Sequence, residues 1–260
     1  MPYRFPLSLL FFLLVIPGFL KADELALPQG RQKQLEDWKI ITASRYHEES
    51  GGFEAKAEGL IPADPEQVWL LVTDFNHWKD IFPHVMVSQE VSPPVLDQIR
   101  QTLKTGPLPD EVLEAWRSRL EKIKEGSWWV GGAPLGGTPF WEGYLFEIYD
   151  FPWPVTNRWA VNRLVMDETG VMMRQYQLHW TMLIGTFKQS EGYFKIGPYG
   201  KNSRLTDFVV YMKNDPGLRV PKTLLKMGSH LSLPNVVRGV RNEVSRQKRH
   251  LWVEHPLKKR

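Results

Sequence analysis

Six apolar-rich runs follow one another between residues 127 and 214, each no longer than a strand or two. They read SWWVGG, PFWEGYLFEIYDF, RWAVNRLVM, VMMRQYQLHWTML, GTFKQSEGYFKI and SRLTDFVVYMKN, and Gly, Pro, Asn or Asp stands between several of them. Connections this short cannot carry a crossover between parallel strands, so successive runs pair antiparallel, as a meander. The spacer MDETG reads as a hairpin turn. A sheet of this kind needs a layer to cover its apolar face, and the rest of the chain must supply it.

Ahead of the meander, residues 34–41 read as a short amphipathic lead-in, and GFEAKAEGLI (52–61) alternates as a strand. Asp64 is a natural N-cap, Pro65 fits the first helical position and Gln67 stands three residues after the cap. Val68, Leu71, Val72 and Phe75 form the apolar stripe of that helix. A second short helix spans 76–81 and stops before Pro83, and residues 84–92 read as the next strand. Residues 93–126 then change character. They are charged and helical in period, with Leu113, Trp116, Leu120 and Ile123 on one face. This is a helical pair inserted between strands, fit to be either a lid over the sheet or a partner surface. A long helix is expected from Pro221, with Leu224, Met227, Leu231, Val237, Val240 and Val244 as its stripe and a kink or break at Pro234. The fold class is α+β: a curved antiparallel sheet wrapped on a long C-terminal helix, with a helical insertion over 93–126.

The first residues set the compartment. Arg4 precedes PLSLLFFLLVIPGF, and a small residue follows at Ala22. The apolar run is shorter than the roughly 20 residues of a comfortable membrane span. It reads as a signal peptide over 1–22, and the alternative is an uncleaved N-terminal anchor. Export, with the bacterial periplasm as compartment, is the expectation. The main domain then runs over 23–255, with a basic tail at 256–260. From residue 218 onward, eleven Lys and Arg face only Glu243 and Glu254, while the whole chain carries a formal net charge of +4. This end is either a solvated helix face with a basic tail or a peripheral contact for an anionic membrane. Export argues against nucleic acid.

Little in the sequence points to covalent chemistry. The chain has no cysteine, which excludes disulfides and thiolate metal sites. Its seven histidines are scattered and form no His-Glu-x-x-His, so no metal site, catalytic residue or cofactor is assigned. The polar residues of the β runs are Glu142, Arg158, Arg163, Arg174, His179 and Asp207. A buried charge needs a partner, so Arg158 with a carboxylate such as Asp207 reads first as a structural pair. An arginine facing a cavity would instead suit a carboxylate or phosphate head group. Trp128, Trp129, Phe140, Trp141, Tyr144, Trp153, Trp159, Tyr176 and Trp180 crowd the β region. Singly they are core residues. Together they exceed what one packed face needs, and a wall for a large apolar ligand would use the excess.

Three stretches resemble the helix-grip fold of START lipid-transfer domains, the birch-pollen-allergen family and the polyketide cyclase/coenzyme Q-binding group. Residues 59–85 resemble its strand–helix–helix opening, with Asp74, Trp78, Phe82 and Pro83 at the pattern positions. PWPVTNRW resembles the START P-W-P-x-x-x-R-D segment, with Trp159 where the family often has Asp. Residues 205–228 resemble the last strand, a D-P-G-G turn and the entry to the C-terminal helix, with Leu218 in place of the second Gly. The insertion over 93–126 is not part of the common plan.

The resemblance implies an apolar cavity between sheet and C-terminal helix. It implies a carrier or sensor for a hydrophobic or amphipathic small molecule such as a lipid, sterol or quinone. Trp141, Tyr144, Arg158, Arg174, Tyr176, Trp180, Phe208, Leu224 and Leu231 are the cavity candidates. Two alternatives remain open: a cyclase- or hydratase-like enzyme using the same cavity, and an interaction module with a collapsed one. A lone arginine in the cavity favours carriage, and a His or Tyr opposite a carboxylate favours chemistry.

Overall fold

The alternating runs do become strands. The computed structural model describes residues 25–49, 51–122, 139–150, 157–217 and 233–247. The segment expected to be a signal peptide, SWWVGG, the corner around Trp153, Leu224, Leu231 and the basic tail lie outside them. The strands are β1 (Ile41–His47), β2 (Gly52–Ile61), β3 (Val85–Glu90), β4 (Phe140–Tyr149), β5 (Arg158–Asp167), β6 (Tyr176–Gly185), β7 (Gln189–Tyr199) and β8 (Asn202–Asp215). They form one antiparallel sheet in the order β1-β2-β8-β7-β6-β5-β4-β3. From β3 to β8 each strand pairs with the next, through short connections from β4 onward and across the inserted helices between β3 and β4. The long step from β2 to β3 spans the sheet and carries α2 (Pro65–Val72) and α3 (Trp78–Ile81). Irregularities in register at Val85/Val87, Val161/Asn162 and Pro198/Tyr199 bend the strands.

Both faces of the sheet are covered. On the inner face, Ala57, Leu145, Leu164, Leu178, Phe194 and Phe208 pack against α2, α3 and a C-terminal helix, α6 (233–247). Val237, Val240 and Val244 form the buried stripe of α6, as their spacing predicts. Contact between α6 and its neighbours is close enough to require glycine. A Cβ on Gly59 of β2 would lie 2.7 Å from Val237 Cγ1, and one on Gly239 would lie 2.1 Å from the Ile81 carbonyl oxygen. Arg241 fixes the helix further, donating from Nε to the Leu60 carbonyl at 2.7 Å and from Nη1 to that of Trp38 at 3.2 Å.

The outer face is covered by α4 (Pro93–Thr102) and α5 (Asp110–Lys122), the expected helical pair. Leu96, Ile99, Leu113, Trp116 and Leu120 pack there on Phe146, Ile148, Trp159 and Val161. The pair is a second layer, on the side of the sheet away from α6. Trp159 is its anchor. Fully buried, it stacks on Phe146 at 6.1 Å, and its Nε1 donates to the Gly106 carbonyl, in the α4–α5 connection, at 3.0 Å.

The structure departs from expectation in four places. β1 begins at the end of the lead-in read over 34–41 and runs through residues given no element, and the short helix α1 (Arg31–Glu36) precedes it. β1 is an edge strand whose middle residues face solvent, so no apolar alternation marks it. The fourth run becomes a strand only from Tyr176: Val171–Met173 form a 3-10 turn, and Arg174 takes a positive φ of 58°. The connection between β5 and β6 is therefore longer than the MDETG turn. Finally, Asp64 stands at the N-cap, but its carboxylate accepts from Arg174 Nη2 at 3.0 Å and makes no cap bond.

Gly239→Ala is expected to destabilise the protein by about 1–3 kcal/mol, because the new methyl meets backbone that cannot swing away. Chemical denaturation would measure it. Gly197→Ala, whose methyl meets nothing closer than 3.6 Å, is the control.

Candidate functional site

Strand parity decides which side chains can meet a ligand between sheet and helix. In β4, Trp141 and Leu145 point to the inner core and Phe146 and Ile148 to the outer one. Glu147 therefore shares the inner face with Leu145, at a position where its neighbours are apolar. In β5 the same parity places Arg158, Ala160, Asn162, Leu164 and Met166 inward. Tyr149 is opposite Arg158, and Ser88 of β3 is opposite Glu147. One end of the inner face thus carries Glu147, Tyr149, Arg158 and Asn162, while the rest of that face is largely apolar.

The cluster is buried and incompletely satisfied. Glu147, Arg158 and Asn162 are each 2% exposed. Asn162 Nδ2 donates to Glu147 Oε2 at 2.6 Å, and Tyr149 also hydrogen-bonds Glu147. Burial pushes the Glu147 carboxyl up to about 7, against the opposing pull of those two hydrogen bonds. Burial and then the neighbouring Glu147 charge push the Tyr149 hydroxyl well above its ordinary value. Burial lowers the Arg158 guanidinium. Two buried atoms have no hydrogen-bond partner: Arg158 Nε, a donor, and Asn162 Oδ1, an acceptor. A protein interior seldom leaves such groups unmet, because each costs about 1–3 kcal/mol.

The structure gathers only some of the cavity candidates on the inner face. Trp141, Tyr176 and Phe208 are buried there, and Trp180 is packed against the same core. Tyr176 stacks on Trp69 at 5.3 Å, and Trp180 lies 5.2 Å from Phe194. Arg158 is the one candidate that belongs to the polar cluster. Tyr144 is on the outer face beneath the helical pair. Arg174 is outside the strands, at the β5–β6 turn, bonded to Asp64. Leu224 and Leu231 lie outside the described residues.

Other charged residues of the β runs turn away too. Glu142 and Arg163 bond each other on the outer side, with Arg163 Nε donating at 3.0 Å. His179 lies on Tyr193 at 5.8 Å, on the outer side. Asp207 cannot pair with Arg158, because it is on the opposite face. Its carboxyl is raised by burial and by Glu58 beside it, and Glu58 bonds Arg31 at 3.4 Å. The aromatic surplus has a simpler cause than a ligand wall, since Trp159 and Tyr144 serve the second packed face. A groove of about 400 Å³ on the outer side, floored by Met86, Val87, Leu113 and Ile148, is likewise separate from the inner face.

Glu147, Tyr149 and Asn162 were missed from the sequence. The available signal was parity. Within FWEGYLFEIY, Glu147 shares the phase of Trp141 and Leu145, whereas Glu142 does not.

A carboxyl raised on folding holds its proton longer in the folded state. Its contribution is complete below the unfolded value of 4.5 and is lost as pH rises through about 7. Glu147→Gln is therefore expected to gain on the wild type across that window, by up to about 3 kcal/mol at alkaline pH. Denaturation midpoints of both proteins across the pH range would show this. Asp207 acts in the same direction in both and cancels in the difference.

No family model and no curated protein matches the sequence. Solved structures do. A STAR-related lipid transfer protein fragment from Xanthomonas axonopodis superposes with a TM-score of 0.54 at 15% identity, covering 85% of this chain and 98% of that one. Human STARD10 superposes with a TM-score of 0.52 at 10% identity, covering 87% and 77%. The strand order, the helix across the inner face and these superpositions agree: the chain has the START-like helix-grip fold.

Proposed function

We propose that this chain binds one amphipathic small molecule between the inner face of its sheet and the C-terminal helix, as a carrier or sensor. The observation that carries the reading is the pair of unmet buried atoms, Arg158 Nε and Asn162 Oδ1, at one end of a largely apolar face. A ligand offering an acceptor to Arg158 and a donor to Asn162 satisfies both. Its apolar body gains about 25 cal/mol per Å² buried, before the costs of association. A lipid head group with a carboxylate or phosphate beside a hydroxyl, or a quinone carbonyl beside a hydroxyl, has this chemistry. The name of the superposed Xanthomonas axonopodis protein, a STAR-related lipid transfer protein, is consistent with the reading.

Export to the periplasm belongs to the proposal and rests on the N-terminal segment. Peripheral contact of the basic residues beyond 218 with anionic lipid also belongs to it.

One observation favours chemistry instead. Tyr149 bonds Glu147, and a carboxyl near 7 can both give and take a proton at neutral pH. In a cyclase- or hydratase-like reaction Glu147 would move the proton and Arg158 would hold a developing oxyanion.

Native mass spectrometry with lipid extraction, on protein purified from its own host, separates these readings. Carriage predicts an unchanged co-purifying amphiphile, and Arg158→Met weakens its binding about tenfold or more. An acid–base enzyme predicts that an added substrate is recovered altered, and that Glu147→Gln abolishes the change while ligand still binds. Protein that is repeatedly ligand-free and takes up no fluorescent fatty acid or phospholipid sinks both.

A further inference from the structure

The β5–β6 turn carries the most exposed apolar side chains among the described residues. Met172 is 92% exposed, Met173 63% and Val171 41%. Three consecutive apolar residues held out in water at a loop tip, none of them buried, are not explained by the core. The turn is also stiff. Val171 N–H donates to the Glu168 carbonyl at 3.0 Å, and Met173 and Gln175 N–H both donate to that of Gly170, at 2.9 and 3.0 Å. Arg174 N–H donates to Val171 at 2.9 Å. Asp167 Oδ1 accepts from Thr169 N–H at 2.9 Å, Trp69 Nε1 holds Glu168, and Arg174 is tied to Asp64.

Register shows what else lies at this rim of the sheet. Phe140, 46% exposed, pairs with Asp167 beside the turn. Trp38, 49% exposed, immediately precedes β1, and Ile41 opens that strand at the same rim. Leu27 and Leu35 pack with Tyr199, the last residue of β7, so the chain enters the domain here. The apolar stretch 5–20 lies just upstream of that entry. Lys201, on the adjoining β7–β8 turn, and Arg204, near the start of β8, are exposed cations at this rim.

We propose that Val171, Met172 and Met173 form a tip that inserts into the outer part of a lipid bilayer. Apolar depth is open only to backbone whose polar groups are already satisfied, and four N–H groups of this turn are bonded within it. The tip is convex, so it offers no pocket to a protein side chain. Met side chains are deformable and fit fluid chains better than a shaped cleft. Aromatic residues and cations around it match the composition of a bilayer interface. No helix among the described residues is long and apolar enough to cross a bilayer. The contact does not depend on what the inner face binds.

The chain has no cysteine, so Met172→Cys gives the full protein a single site for an environment-sensitive fluorophore. With vesicles of equal parts phosphatidylcholine and phosphatidylglycerol, emission is expected to shift to the blue. Lipids with spin labels in the upper chain should quench it, and a fluorophore on Thr181→Cys, exposed mid-sheet, should do neither. Replacing Val171, Met172 and Met173 together by Ser should weaken vesicle flotation about tenfold or more, with thermal unfolding unchanged. Protein that floats while position 172 stays in water overturns the proposal, as does protein that does not bind vesicles. A blue shift that follows protein concentration without vesicles assigns the tip to a contact between copies, and overturns it equally.

Discussion

Strands β4 and β5 are buried on both faces, and most of what distinguishes this protein depends on that. With a packed layer on each side, residues 145–148 of β4 and 158–162 of β5 each belong to one of two interiors. Phe146 and Glu147 are adjacent, yet one meets Trp159 under the helical pair and the other meets Asn162 on the inner face. A slip of one residue in pairing would exchange them, setting a carboxyl in the outer apolar core. The irregularity at Val161/Asn162 lies at this point. Its extra residue is Leu183 of β6, so β5 keeps its alternation there: Val161 serves the outer layer and Asn162 reaches Glu147.

A polar cluster so placed does not serve stability well. Burying Glu147, Arg158 and Asn162 costs more than apolar residues of the same size would. Tyr149, Glu147 and Asn162 recover part of that by bonding each other. Arg158 Nε and Asn162 Oδ1 recover nothing at those atoms. A structural network would be expected to close on itself, because a half-satisfied one is worse than an apolar core. The open positions, one donor and one acceptor on the same face of one strand with Ala160 between them, are the reason to read the cluster as a site.

Much of the fold was legible because its strongest signals are local. Alternation over GFEAKAEGLI gave β2 to the residue, and Pro65 opened α2 where a proline can. β1 was illegible because an edge strand with solvated middle residues has no apolar phase. VMM looked like the start of β6 because sequence cannot tell an apolar residue that is buried from one that is displayed. The site failed for a related reason. Composition put Glu142, Arg163, His179 and Asp207 on strands, but only the register of a two-sided sheet reveals that they face outward. Arg158 was found through the family pattern, and its partners needed the face assignment.

Two of the departures from the START pattern, Trp159 and the insertion, are one arrangement. An acid after Arg158 would point into the outer core, where α4 and α5 leave no water to hold a charge. Trp159 fills that space and bonds the turn between the two helices. The insertion therefore explains the tryptophan, and the tryptophan holds the insertion. This second layer also stiffens the strand pair at the end where the polar cluster lies. The exposed tip belongs to the other end, some seven residues along β4, or about 24 Å. A ligand's head group and the bilayer contact would thus sit at opposite ends of the same rigid pair. Exchange at the polar end then has to come from movement of what faces it across the inner space, since the sheet behind it is clamped from both sides.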